Sequence, residues 1–573
     1  MDGAMRCEEQ SFDVVVIGGG GAGALAAIEC KRAGKKVALV SKESSLVGGA
    51  TIMSAGGTSA AFDPNDNPDA FFADIMKAGK QLNNQKLARI VAEGSVAALT
   101  NLESYNFILD RKDAHTLRTV KQGEGHAFPR GYLDRREALG FSHALCKALM
   151  RSDIALFPET VVSKLFVCKN RIAGLFGVSI VSGEYIVLRA KAVILATGGL
   201  GALYKVTTNS DLLTGDGYAL AWDSGAELID MEMVQFLPLA FPYPEARRGK
   251  IIGMCSHFGN GVKLYNALGE RYMSKYDADR MEFTTRDIAA RANFLEIKEG
   301  RGTDNHAILV DPRDHDPSIL QRFKTSVPHI YAMFKEVYGA RAADWLEPFE
   351  AIPSQHFFMG GIRIDEQCRT SIAGLFAVGE VAGGLHGANR LSGVALTEIF
   401  VFGPRAGRAA AIFTDTEDTT PLEPSEVNSE IERLESLLRS GEGIRPFELK
   451  TAIQNIMWDE LGPVRHGSQI QAAITSLEDI RKNLKNMAIG SDSRMYNRDK
   501  LEAIEVTFMI RTALLVAHSA LQRCESRGSH YRMDFPETDK KWLKNIILTK
   551  VNEEDISIRT EKPRGISGDE SKM

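Results

Sequence analysis

Asp13 to Ile17 is a continuous apolar run, followed by the turn GGGGAG, a helical pattern over Ala24 to Ala33 that stops at Gly34, and a second apolar run from Lys36 to Val40. Strand, turn, helix and strand in this order form a β-turn-α-β unit, with Gly34 as the residue that closes the helix. Tyr185 to Thr197 predicts a further strand pair ending in ATGG, and Leu375 to Val378 a short strand that runs into Gly379 and Glu380. Strands of one sheet about 180 residues apart imply an insertion between them, placed from Leu237 to Glu350. The stretch Thr414 to Glu426, acidic and Thr-rich with two prolines, predicts a linker. After it, Ile470, Ala473, Ile474, Leu477 and Ile480 recur at helical spacing and give one apolar face. The remainder is expected to be helical up to the polar tail from Glu561, which is expected to be disordered.

Composition narrows the classes. The 573 residues carry 69 basic and 74 acidic side chains, a net charge of −5, and the single lysine-rich stretch is Lys540 to Lys550. That balance argues against nucleic acid as a partner. Seven cysteines are scattered without a CxxC pair, the pattern of reduced thiols in a cytoplasmic protein, and no metal or iron–sulfur site is expected. The N-terminus lacks the basic and apolar regions of a signal peptide. Ala503 to Leu521 is the most apolar late segment, but Glu505, Arg511 and His518 interrupt it, so a packed helix is expected and no membrane span. Glycine is in excess, with 52 against 19 prolines, which points to tight turns and close backbone approach to ligands.

Gly18, Gly20 and Gly23, with Gly21 and Ala22 between them, form G-x-G-x-x-G between strand and helix. The first glycine permits the turn, the second admits a pyrophosphate and the third lets helix and strand pack closely. Ser41 and Lys42 stand where an NAD site more often carries an acidic residue. Further close-approach loops occur at Gly49, Ala50, Thr51, Ala55, Gly56 and Gly57, at Ala196, Thr197 and Gly198, and around Asp216. Glycine loops in so many places suit a long ligand such as FAD.

With these motifs in order, and with GERY at 269–272, TTRDIAARA at 284–292, HFFMGGI at 356–362, AVGEVAGGLHGANRLSG at 377–393 and ESRGSHYRMDFP at 525–536, the chain resembles the succinate dehydrogenase, fumarate reductase and L-aspartate oxidase flavoprotein family nearly end to end. The resemblance implies an α/β fold. Its parts are a Rossmann-like FAD-binding domain at 11–236 and 351–413, an inserted α+β capping domain at 237–350 and a helical C-terminal domain at 427–560. It implies hydride transfer between flavin N5 and a carbon of a C=C or CH–CH bond next to a carboxylate. By the same resemblance Arg286 is the proton donor, and His356 and Arg390 hold the carboxylate. An arginine acid has to be reprotonated promptly by a neighbour, because its free pKa exceeds ~12. Asp216 and Glu380 match FAD contacts. Val394, Ala395 and Leu396 are expected to open a helix whose amides face the flavin, where partial positive charge favours negative charge. His386 lies in the same loop without an assigned role.

Two departures from the family stand out. The quinone-linked members carry a histidine covalently bonded to FAD where this chain has Ala50, which implies non-covalent FAD. Leu237 replaces a polar histidine of the dicarboxylate-binding members, and Met254 and Cys255 replace a Thr-Glu pair. One half of the substrate pocket is therefore expected to be apolar, for a small-molecule carboxylate or acyl substrate other than a standard C4 dicarboxylate. Cys255 with His257 is too small a set for a metal site. The chain carries no redox centre of its own beyond the flavin, so the resemblance implies a separate iron–sulfur electron-transfer subunit, through which membrane association would arise. An amino-acid oxidase resembling L-aspartate oxidase, and an electron-carrying flavoprotein without its own substrate, stay open as alternatives.

Overall fold

The computed structural model describes residues 7–44, 48–54, 56–111, 113, 117, 125–132, 137–259, 261–552 and 555–565. The first strand, Cys7–Ile17, lies at the centre of a seven-stranded sheet. Val37–Val40 and Tyr185–Leu195 flank it in parallel, in register at Val14 with Val37 and at Ile17 with Leu195. All four residues Val37 to Val40 are buried, as a parallel strand covered on both faces requires. The helix Gly21–Arg32 crosses between the first two strands, and Gly34 follows it at φ +79°. The pair of strands expected at 185–197 is one strand, Tyr185–Leu195, and its antiparallel neighbour is Arg171–Ser179. Leu375–Ala377 also joins Tyr185–Leu195 in parallel, so chain segments far apart in sequence share one sheet.

The inserted lobe has its own core. Five antiparallel strands run in the order Ile251–Gly253, Val234–Ala240, Phe349–Phe358, Ile308–Asp311, Lys263–Tyr265. Phe258, Phe334, Trp345 and Phe349 pack together beside this sheet. The first and last strands of the lobe in chain order, Val234–Ala240 and Phe349–Phe358, extend beyond the bounds 237–350, because these two strands pair with each other and form the lobe's stem.

The long helix Val394–Thr416 runs three residues into the segment expected to be a linker, and the next helix starts at Pro424. The C-terminal region is helical as far as Gln522 and then differs from expectation. Asn545–Lys550 and Ile556–Glu561 form a hairpin that extends a small sheet through Leu228–Ile229. Part of the expected disordered tail is therefore placed: Glu561 belongs to that hairpin, and the Arg564 carbonyl accepts the Gln85 N–H at 2.9 Å. Arg498–Gln522 is long and apolar enough to cross a membrane, yet 78% of its apolar window is buried inside the protein. It packs against Pro446–Leu461, Gly467–Asn483 and Asp216–Asp223 as a core helix.

Candidate active site

The glycine turn after the first strand leaves almost no room for side chains. A Cβ on Gly18, at φ +110°, would sit 2.2 Å from the Ala196 carbonyl oxygen, and one on Gly23 would sit 2.0 Å from the Gly18 oxygen. Gly23 thus packs helix on strand, while Gly18, Gly20, Gly21 and Ala22 border a cavity of about 810 Å³. No side chain caps the helix at Gly20, and the Gly21 N–H donates to Thr51 Oγ1 at 3.0 Å. The cavity continues past Ser41 and Lys42, along Gly49, Ala50, Thr51 and Gly57, and past Ala196, Thr197 and Gly198. Ala55 lies outside the described residues, and Gly56 stands at φ +74° without bordering the cavity. Ala395 and Leu396, at the start of the helix Val394–Thr416, also line it, whereas Val394 belongs to the hydrophobic core. A dinucleotide fits this cradle. The opening of a helix faces a glycine-walled channel, and Thr197 Oγ1 is buried on its wall without a hydrogen-bond partner.

Lys42 and Asp216 meet at the edge of this channel. Lys42 Nζ reaches Asp216 Oδ2 at 2.9 Å and Glu505 Oε1 at 2.7 Å, and Lys450 approaches the other oxygen of Glu505 at 3.4 Å. Burial works to lower the Lys42 pKa, but Asp216 and Glu505 outweigh it and hold it above the ordinary lysine value. The lysine that stands in place of an acidic residue at the strand end is thus the centre of a partly buried ion cluster.

At the cap side, Arg286 is the first residue of the helix Arg286–Glu296 and is buried. Its Nη1 donates to Gln235 Oε1 at 3.1 Å. Gln235 Nε2 in turn donates to Asn389 Oδ1 at 2.6 Å and to the Arg390 carbonyl at 3.1 Å, and Asn389 Nδ2 donates to Asp287 Oδ1 at 3.1 Å. One frame of amides therefore ties Arg286 to the backbone of Arg390. The Arg390 guanidinium lies 4.8 Å from the Phe357 ring centre, and its Nε is buried without a hydrogen-bond partner. Burial, with the charge of Arg286 second, pulls Arg390 down to about 9. An arginine stays protonated in a protein, so this depression marks a cation short of counter-charge. His356 shares a hydrogen bond with Thr208 Oγ1 through Nδ1 at 2.9 Å. Burial first, then Arg390 and Arg286, hold its pKa well below the usual histidine value, so the ring is neutral.

Glu380 accepts the Phe358 N–H at 2.9 Å, and burial raises its pKa to about 8. At neutral pH it is mostly a neutral acid, able to donate to a hydroxyl. His386, whose role the motif leaves open, pairs with Glu398 at 2.9 Å, both buried, and its ring meets Phe357 edge-on. It supports the wall on which Arg390 rests.

The cap wall is mostly apolar. Leu237 and Met254 border the cavity as expected. Cys255 does not: it is 2% exposed and packs in the lobe core. Cys255 to Phe258 form a turn of 3₁₀ helix that sends Cys255 and Phe258 inward, and Ser256 and His257 are the residues bordering the cavity.

An FAD binding domain model matches residues 13–396, and a fumarate reductase flavoprotein C-terminal model matches 450–565. A CoM/CoB fumarate reductase chain from Methanothermobacter marburgensis is 39% identical over 551 residues, covering 95% of this chain and 98% of the relative. The chain belongs to the fumarate reductase and succinate dehydrogenase flavoprotein family. Among solved structures, the flavoprotein FrdA of Escherichia coli quinol fumarate reductase superposes with a TM-score of 0.89 at 28% identity, covering 98% of both chains. Sdh1 of Mycobacterium smegmatis gives 0.87 at 32% identity, covering 97% of this chain and 94% of that one. FAD is the cofactor of this flavoprotein.

Several residues of the flavoprotein site carry no motif that announces them. Gln235 and Asn389, which join Arg286 to Arg390, are neutral amides without a chemical signature. Thr208 orients His356 from a position 148 residues away. The C-terminal motif has a mechanical role: the Ser529 N–H and Oγ both donate to the Ala388 carbonyl, at 2.9 and 3.0 Å, bracing the loop before Asn389 and Arg390. His126 also borders the cavity, held by the Ser392 carbonyl at 3.0 Å, and no sequence pattern marks it.

Proposed function

We propose that this chain holds FAD non-covalently and reduces the C=C bond of an α,β-unsaturated carboxylate whose remaining part is apolar, with electrons delivered by a separate iron–sulfur subunit. The observation that carries this reading is the polarity of the cavity. Arg286, Arg390 and His356 line it together, while the cap presents Leu237 and Met254.

FAD, when bound, supplies a hydride from N5. Arg390 gives the substrate carboxylate its counter-charge and a bidentate fork, and the neutral His356 adds a hydrogen bond that needs no second cation. Both draw electron density toward the carboxylate, which activates the carbon that receives hydride. Arg286 holds the proton for the adjacent carbon on its guanidinium, kept in place by Gln235 Oε1. Asp287, the next residue in the chain, accepts from Asn389 in the same frame, and in this reading it restores that proton. Leu237 and Met254 exclude water and remove the second set of polar contacts that a C4 dicarboxylate would need.

The test is to reduce the flavoprotein anaerobically and offer fumarate, crotonate and cinnamate. Faster flavin reoxidation by cinnamate or crotonate than by fumarate supports the reading, and a clear preference for fumarate returns the chain to the C4 dicarboxylates. Reoxidation by none of these or any other unsaturated acid favours an electron carrier, for which the loss of polar cap residues is the supporting feature. Oxygen uptake with L-aspartate would instead indicate an oxidase.

A further inference from the structure

The cap helix Pro317–Ser326 turns one face to the cavity: Ile319, Arg322, Phe323 and Ser326 follow at spacings of three and four residues and all border it. The helix is seated closely, since a Cβ on Gly259, at φ +81°, would sit 2.3 Å from Ile319 Cδ1. On this face Arg322 is the single cation, and its guanidinium enters no hydrogen bond or ion pair among the described residues.

His257 borders the same cavity, close enough to Arg322 to feel its charge. Its ring rests on Gly253, where a Cβ would come within 2.6 Å of Nδ1, and the Met254 N–H donates to that Nδ1 at 3.2 Å. The residue is exposed, and it borders the cavity. Its pKa is pushed down to about 4, by desolvation first and then by Arg286 and Arg322, so the ring is neutral. With Nδ1 accepting, the ring proton sits on Nε2, a donor offered to the cavity. Leu237, Met254, Phe283 and Ile319 border the cavity as well, with the hydroxyl residues Ser256 and Ser326.

An unpaired cation and an oriented donor on a mostly apolar wall match a ligand with an anionic group beyond an apolar body. We propose that His257 and Arg322 form a distal anion subsite, so that the substrate class is an α,β-unsaturated acid whose apolar body ends in a second anionic group. This rests on the reading of the cavity given above and extends it.

The probes are para-carboxycinnamate and para-methylcinnamate, titrated against the oxidised holoprotein with the flavin absorbance as readout. The carboxylate probe is expected to bind ~10-fold more tightly, the worth of one charged hydrogen bond. Arg322→Gln, at an exposed position, should erase that preference while leaving para-methylcinnamate affinity and the melting temperature unchanged, and His257→Phe should reduce it. Equal affinity for the two probes, a preference that survives Arg322→Gln, or no binding by either would each overturn the subsite. The two proposals fail separately. A preference of this kind without reoxidation of the reduced flavin leaves the subsite and removes the reductase, whereas reoxidation by cinnamate with no preference does the reverse.

Discussion

Glu380 and Phe358 are joined by a buried hydrogen bond, the Phe358 N–H donating to Glu380 Oε1 at 2.9 Å, and Gly199 stands so near that a Cβ there would fall 2.2 Å from the same oxygen. The carboxyl is buried at the cavity wall, and desolvation raises its pKa from 4.5 to about 8. Between these two values the folded flavin-free protein keeps a proton that the unfolded chain has lost. Stability contributed at this site therefore falls as pH rises from about 4.5 and levels off above about 8. Glu380→Gln keeps an acceptor for Phe358 and removes the titration. Its stability, followed by the melting temperature, should match the wild type near the acid end and exceed it at the alkaline end by on the order of a few kcal/mol. Parallel melting curves across that range would show that Glu380 ionises normally.

Arg286 sits on a cap helix, and its hydrogen bonds run to Gln235 of the cap stem and on to Asn389. Replacing it by Ala should lower turnover by ~10²–10⁴-fold, the usual worth of a positioned proton donor. The flavin absorbance per mole of protein should stay unchanged, because the glycine cradle lies on the other domain. Retained turnover would remove Arg286 from the mechanism.

What the sequence makes legible, and what it hides, follows from physical scale. The glycine motif is readable because Gly18 and Gly23 are dictated by local backbone approach, and the apolar runs around it are readable because a parallel strand buries both faces. Arg286, His356 and Arg390 are legible only through the order of motifs. The frame that joins them is made of amides, and Gln235 and Asn389 are 154 residues apart. Cys255 misses the pocket by a single turn: spacing alone does not say which face of a 3₁₀ turn points inward, and the core of the lobe takes Cys255 while His257 meets the cavity. The hairpin Asn545–Lys550 and Ile556–Glu561 falls in a stretch expected to be helical: its two strands pair locally over six residues, and only their docking on Leu228–Ile229, more than 300 residues earlier, is hidden from the local pattern.

Lys42 holds two carboxylates, the partly buried Asp216 of the dinucleotide domain and the buried Glu505 of the long C-terminal helix. Lys42→Met retains the chain's apolar stem but leaves both acids without their main counter-charge. Breaking a buried pair in this way costs about 3–5 kcal/mol. The expected outcome is a lower denaturant midpoint together with weaker FAD retention on gel filtration, since Asp216 borders the cofactor channel. A second replacement, Glu505→Gln, should recover part of the loss by removing one of the unpaired charges. A midpoint that does not move in Lys42→Met would mean that Lys450 alone compensates Glu505.

Ala50 borders the cofactor channel, inside the short helix Gly49–Met53, and its methyl group offers no atom that can bond to a flavin. The histidines that do border the cavity are engaged through ring nitrogens: His126 with the Ser392 carbonyl, His257 with the Met254 N–H and His356 with Thr208. Each of these contacts orients its ring for a structural or binding role. Acid precipitation of the holoprotein should therefore release all of the flavin into the supernatant, and the pellet should be colourless and without flavin fluorescence. Flavin retained in the pellet would refute non-covalent attachment. The same property predicts that flavin stripped by mild chaotrope can be restored by adding FAD alone, with recovery of the original melting temperature, since rebinding then requires only the cradle and no bond-forming step.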